Sequence, residues 1–212
     1  MKKKLLGCFS IVILSCTVVF GDATFSNLGP NDEFDPTIGY LIGRFPDGMV
    51  ENSHLGFQFT ATVTGTINSV DVAVSQFDGK PNEFMTFTIW DDEFGLPGNS
   101  LWTGLTTAGP ASELVNVTSA EGSSQTLIAG ESYWLSSRSA TGDAAFAWAF
   151  NSIGSFGQGV FDLTGGTNWG GASEFEQAAF RVNVNVESIP EPTILLPLAL
   201  MALFASRRSR LK

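Results

Sequence analysis

The sequence predicts an all-β protein, an antiparallel two-sheet β-sandwich of jelly-roll type, with an apolar helical targeting segment at each end. Three observations carry this. Strict apolar–polar alternation recurs between residues 55 and 187, the period-two signature of strands with one buried face. Gly (23) and Phe (18) are abundant, and Ser, Thr, Asn and Val fill much of the rest, a bias that suits pleated strands and tight turns. No amphipathic helix of convincing length interrupts the middle of the chain. Two packed antiparallel sheets are the natural way to bury so many one-sided strands. The 212 residues suffice for one such core and two short ends.

Lys2, Lys3 and Lys4 open the chain, followed by an almost unbroken apolar run from Leu5 to Phe20. Val19-Phe20-Gly21 before the polar Asp22 completes a secretory signal peptide over residues 1–21. An uncleaved anchor and a lipidated Cys16 are the competing readings, and the bulky Leu14 stands against the second. Cys8 and Cys16 are the two cysteines, and both lie in this leader. The exported domain, residues 22–188, therefore relies on packing rather than on disulfides.

Within that domain, Phe57, Phe59, Ala61 and Val63 alternate with Gln58, Thr60 and Thr62, and Gly65 breaks the run. Val70, Val72 and Val74 begin a second strand. Phe77-Asp78-Gly79-Lys80-Pro81 is turn chemistry, with Asp-Gly supplying positive φ. Met85, Phe87 and Ile89 then alternate with Thr86, Thr88 and Trp90. Further strands are expected over 114–118, 126–128 and 132–136, with Ala129-Gly130 turning between the last two. Over 145–150, Phe146, Trp148 and Phe150 share one face and alanines the other. The final strand sets Phe180, Val182, Val184 and Val186 against Arg181, Asn183, Asn185 and Glu187. This amounts to eight or so strands.

The C-terminus reads Pro190-Glu191-Pro192, then apolar residues from Thr193 to Ala205, then a cluster with Arg207, Arg208, Arg210 and Lys212. As a helix the thirteen-residue apolar part would span ~20 Å, short of the ~30 Å hydrocarbon core. The arginines would stay cytoplasmic, leaving the Pro-Glu-Pro motif outside. Such a segment is a temporary hold rather than a durable span. The order of motif, transmembrane segment and Arg cluster over residues 189–212 resembles the PEP-CTERM sorting signal. That resemblance implies Sec-type export, inner-membrane tethering, processing by an exosortase, and a place at the cell surface or in an exopolysaccharide or biofilm matrix. Thr88-Ile89-Trp90-Asp91-Asp92 with Leu96 to Leu101, Leu127 to Leu135, Trp148 to Gly154 and Ala179 to Val182 are similar to the "choice-of-anchor" type of β-sandwich ectodomain. This second resemblance implies a fold and no mechanism.

Between residues 22 and 189, four basic residues stand against twenty acidic ones, leaving a charge of −16. Such a surface repels phosphate backbones, so no nucleic-acid partner is expected. His54 is the single histidine, and no Ser-His-Asp arrangement around it can be read from the sequence, so no catalytic residue is assigned and no enzyme is expected. With no cysteine in the exported domain, a zinc or thiol site lacks donors. Asp91, Asp92 and Glu93 are the weak candidates for Ca²⁺, although they do not match a spaced Asp-x-Asp-x-Asp-Gly loop; otherwise no cofactor is expected. The leading reading is a non-enzymatic surface or matrix protein. One alternative is a carbohydrate-binding module for exopolysaccharide, with Trp102 and Trp169 on Gly-rich loops and Trp90 on the polar side of its strand. Trp134 and Trp148 are expected in the core. A secreted glycan hydrolase using a carboxylate pair is the third class.

Overall fold

The computed structural model describes residues 21–44, 53–77, 83–109, 113–119, 125–140, 145–164 and 168–186. The expected terminal targeting helices, residues 1–20 of the leader and the tail over 189–212, lie outside the described residues. So does the Asp78-Gly79-Lys80-Pro81 turn. Among the described residues no helix is long and apolar enough to cross a membrane.

The described chain is almost entirely strand. In order these are β1 (Gly21–Ser26), β2 (Phe34–Gly43), β3 (His54–Thr60), β4 (Gly65–Val72), β5 (Val74–Gln76), β6 (Phe84–Glu93) and β7 (Leu96–Thr107). They continue with β8 (Val115–Thr118), β9 (Thr126–Leu127), β10 (Ser132–Ser139), β11 (Ala145–Asn151), β12 (Phe156–Asp162), β13 (Ser173–Glu176) and β14 (Phe180–Asn185). One 3₁₀ turn, Pro30–Asp32, separates β1 from β2. The strands form a five-stranded sheet (β1-β14-β4-β8, with β9 also on β4), a six-stranded sheet (β13-β12-β3-β10-β6-β7) and a three-stranded sheet (β2-β11-β5). Every ladder between named strands is antiparallel.

One core serves all three sheets. Trp148 of β11 is fully buried, with its ring edge-on to Phe57 of β3 (5.6 Å) and Phe87 of β6 (5.3 Å), and tilted against Phe180 of β14 (6.0 Å). Its indole Nε1 donates to the Ala179 carbonyl (3.0 Å), so the polar end of a large apolar side chain is also satisfied. The alternation over β3 and β14 behaves as expected, with Phe57, Phe59, Phe180, Val182 and Val184 buried.

The structure adds three details to the expected strands. The run Val70-Val72-Val74 is two strands: β4 ends at Val72 in the five-stranded sheet and β5 begins at Val74 in the three-stranded one. The chain changes sheets at Ala73, where a closed ring of backbone bonds forms. Ala73 N donates to Ala179 O (3.3 Å), Ala179 N to Ala149 O (2.8 Å), and Ala149 N to Ala73 O (2.9 Å). Small side chains let three backbones meet at this corner. In β11 both faces are covered, since Ala145 and Ala149 are buried like Phe146 and Trp148 on the other side. Finally, β1, β2, β12 and β13 lie in stretches whose glycines and prolines obscure the period.

The N-terminal strand is tied in by side chains. Asn27, 1 % exposed, accepts from Phe180 N (2.8 Å) and donates to Ala178 O (2.7 Å), extending the β1–β14 ladder past its last backbone pair. Thr24 bonds both ways with Val63, Oγ1 donating to its carbonyl (2.7 Å) and accepting from its N–H (3.1 Å), just beyond the end of β3 at Thr60, while the alternation runs on through the buried Ala61.

Candidate functional site

Alternation in the six-stranded sheet sends Leu55, Phe57, Phe87, Ile89 and Leu135 into the core. His54, Gln58, Trp90, Asp92, Trp134 and Ser136 therefore occupy the opposite face. Register places Gln58 opposite Trp134, and Trp134 opposite Trp90. Asp92 Oδ1 accepts from both Gln58 Nε2 (2.7 Å) and Trp134 Nε1 (2.7 Å), while Trp90 Nε1 donates to Ser136 Oγ (2.7 Å). Trp134 is buried, as expected, but on this outer face rather than with Tyr133 and Leu135.

Trp169 lies over the same face. Its ring stacks on His54 (5.3 Å, 16° between planes) and meets Trp90 edge-to-face (6.0 Å, 81°). His54 is itself buried at 3 % exposure and sits in register with the buried Asp162 of β12. The following Gly170 N–H donates to Phe161 O (2.9 Å), which holds this segment against β12. Two of the three candidate tryptophans thus come together, and one face of Trp169 is covered by imidazole.

Trp102 does not join them. It sits on β7 in register with Ile89, 2 % exposed and inside the main core, so its expected place on an exposed loop is corrected. The physical reason is Gly104. A Cβ there would lie 2.6 Å from Trp102 Cη2 and 2.7 Å from Val117 Cγ1, so this glycine makes room for an inward indole. The sequence signal was present as a Trp-x-Gly alternation, but glycine enrichment imitates a loop.

Of the three acids, Asp91 and Asp92 accept from protein donors. Asp91 accepts from the Asn99 N–H (2.5 Å) and Asn99 Nδ2 (3.0 Å), and Asp92 Oδ2 accepts from Gly95 N (3.2 Å) besides its two contacts above. Asp91 and Glu93 both approach Gly98, while Asp92 turns to the other face of β6. Among the described residues no group of three His, Cys, Asp or Glu is placed to hold a metal ion. Asp35, whose carboxylate accepts from Thr37 Oγ1 (2.6 Å) and Thr37 N (2.9 Å), is held below the usual carboxylate range by those two bonds.

A cleft of about 640 Å³ opens where β1, the edge of the five-stranded sheet, approaches β3, β12 and β13. Its apolar floor is Phe25, stacked on Phe180 (4.9 Å) and tilted against Phe59 (5.4 Å). Phe156 stands at its wall with 61 % of its surface exposed. Gln158 and Glu174 face each other in register across β12 and β13, both lining the cleft and both exposed. Gln177 is fixed in place: its Nε2 donates to Gln58 O (2.7 Å), and its Oε1 accepts from Ser155 Oγ (3.1 Å). Gly157 leaves the space for it, since a Cβ there would lie 2.5 Å from Gln177 Nε2. The described lining holds amides, hydroxyls, phenyl rings and one carboxylate, and no basic side chain. None of this was singled out from the sequence, because its parts are separated by more than a hundred residues.

No protein-family model matches this chain. A search of curated proteins likewise finds no match.

Proposed function

We propose that the chain is an exported cell-surface or extracellular-matrix protein of structural or interaction type, carried out by Sec-type machinery and processed by an exosortase. Its tail holds it briefly in the inner membrane before release or transfer. Its β domain is a β-sandwich of jelly-roll type, with a short third sheet in place of the strictly two-sheet arrangement expected, a reading supported by the main core to which all three sheets contribute. The observation that carries the proposal is the order Pro190-Glu191-Pro192, thirteen apolar residues, then Arg207, Arg208 and Arg210. An apolar stretch too short for comfortable spanning, stopped by cations, favours a transient tether. We assign no catalytic step, since the paired acids serve protein donors.

Intact-mass analysis of the protein recovered from its own cells tests this directly. The expected product lacks both the leader and the residues beyond the Pro-Glu-Pro motif. Recovery of an uncut C-terminus from the membrane fraction would overturn it.

A further inference from the structure

We propose that the cleft between β1 and the β3–β12–β13 edge is a binding site for an uncharged oligosaccharide, with Phe156 as its stacking platform. The lining defines the ligand by elimination and by fit. With no basic side chain among its described residues and Glu174 at its wall, the cleft repels phosphate and carboxylate ligands, and the acidic domain reinforces this at longer range. A purely apolar ligand would leave the exposed amide of Gln158 and the exposed hydroxyl of Thr60 facing it without gain. A sugar ring matches both halves of the surface. Its hydroxyls pair with amide and hydroxyl groups that both donate and accept, and its axial C–H face packs on a phenyl ring.

The geometry supports an assembled site rather than an accidental gap. Gln177 is locked by two hydrogen bonds and by the absence of a side chain at Gly157, so its position is set before any ligand arrives. Phe156 and Gln158 are separated by one residue on β12, so both reach the same face of the strand at fixed spacing. The cleft is open to solvent rather than an enclosed cavity, which leaves room for a ligand that continues beyond it. The tryptophans are less suited to stacking on a sugar, since Trp102 is in the core and Trp169 has one face on His54. Where the glycan is met depends on the export reading above. The binding itself does not.

The test uses the full chain, purified in a zwitterionic sugar-free detergent, with cellohexaose, mannohexaose, maltohexaose and oligogalacturonate as probes. Calorimetry and saturation-transfer NMR read the binding. At least one neutral hexaose is expected to bind saturably, with Kd between roughly 10 µM and 1 mM, and oligogalacturonate is expected not to bind. Phe156→Ala, at an exposed position, should weaken the neutral ligand about tenfold without changing the unfolding midpoint, and Gln158→Ala should weaken it about threefold. Trp169→Ala should leave binding unchanged. The proposal is overturned if no neutral hexaose binds, if the anionic probe binds better, or if both cleft variants bind like the parent protein. Failure here with correctly trimmed ends in the mass measurement would remove the cleft assignment and leave the export reading standing; the converse result would do the reverse.

Discussion

Arg181 and Asp71 stand directly opposite each other on β14 and β4; the guanidinium Nε donates to Asp71 Oδ2 at 2.8 Å, and Nη2 lies in ion-pair contact with the same oxygen at 2.8 Å. Arg181 Nη1 reaches out to Asp32 at 2.7 Å, on the 3₁₀ turn where Asn31 and Asp32 both adopt positive φ. Asp71 also accepts from Asn116 and Asn183. Burial pulls the guanidinium's pKa down, but its hydrogen bonds and charge interactions with Asp71 and Asp32 more than offset this and raise it. In a domain so rich in acids, this cation joins the N-terminal turn to the centre of the five-stranded sheet.

Arg181→Met is accordingly expected to lower stability by about 1–3 kcal/mol, because it leaves Asp71, 7 % exposed, without its cation. Asp71→Asn should cost a similar amount. In a double-mutant cycle read by urea unfolding, the two losses should be strongly non-additive. Simple additivity would show that the pair is incidental.

Asn27 replaces backbone groups at the end of β1. Asn27→Ala removes a bond to Phe180 N and one to Ala178 O inside the protein, with an expected loss of about 2 kcal/mol. Hydrogen exchange at the Phe180 amide should accelerate more than exchange across β10. Equal acceleration everywhere would mean that the loss is global rather than at this edge.

Trp102 and Trp169 separate the core from the surface. Trp102→Ala should destabilise by about 3–5 kcal/mol through the cavity it leaves, and Trp169→Ala by much less. Urea midpoints for the two variants decide this. Equal midpoints would contradict the burial of Trp102 beside Gly104.

Tyr40 gives the alkaline prediction. Its hydroxyl donates to Glu176 O (2.8 Å), and burial, helped by the Glu176 charge, raises the phenol above its ordinary value near 10. A group with a raised folded pKa contributes stability that is complete below the unfolded value and fades as pH climbs through the folded one. Stability should therefore fall above about pH 10, and Tyr40→Phe should flatten that fall. An unchanged slope in the variant would assign the decline to other groups.

Gly39 tests a close approach. A Cβ at this position would fall on the Trp148 carbonyl across the β2–β11 ladder, at the bulge between Ala149 and Phe150. Gly39→Ala is expected to cost about 1–3 kcal/mol, read from thermal unfolding.

What the linear order of residues determined by itself was local in kind. Period-two alternation over Phe57–Phe59, Met85–Ile89 and Phe180–Val184 announced strands and their buried sides, because side-chain direction in a strand depends only on parity. The acidic balance of the body was equally plain, since it needs only counting. Tertiary structure decided what depends on distant partners. Whether Trp102 faced water rested on the space left by Gly104 and Val117, and whether Val70, Val72 and Val74 were one strand rested on Ala179 and Ala149 meeting Ala73. The cleft exists only where Phe25, Gln58, Phe156 and Gln177 converge. Parity is written into a few neighbouring residues, whereas a cavity is written into the packing of whole sheets.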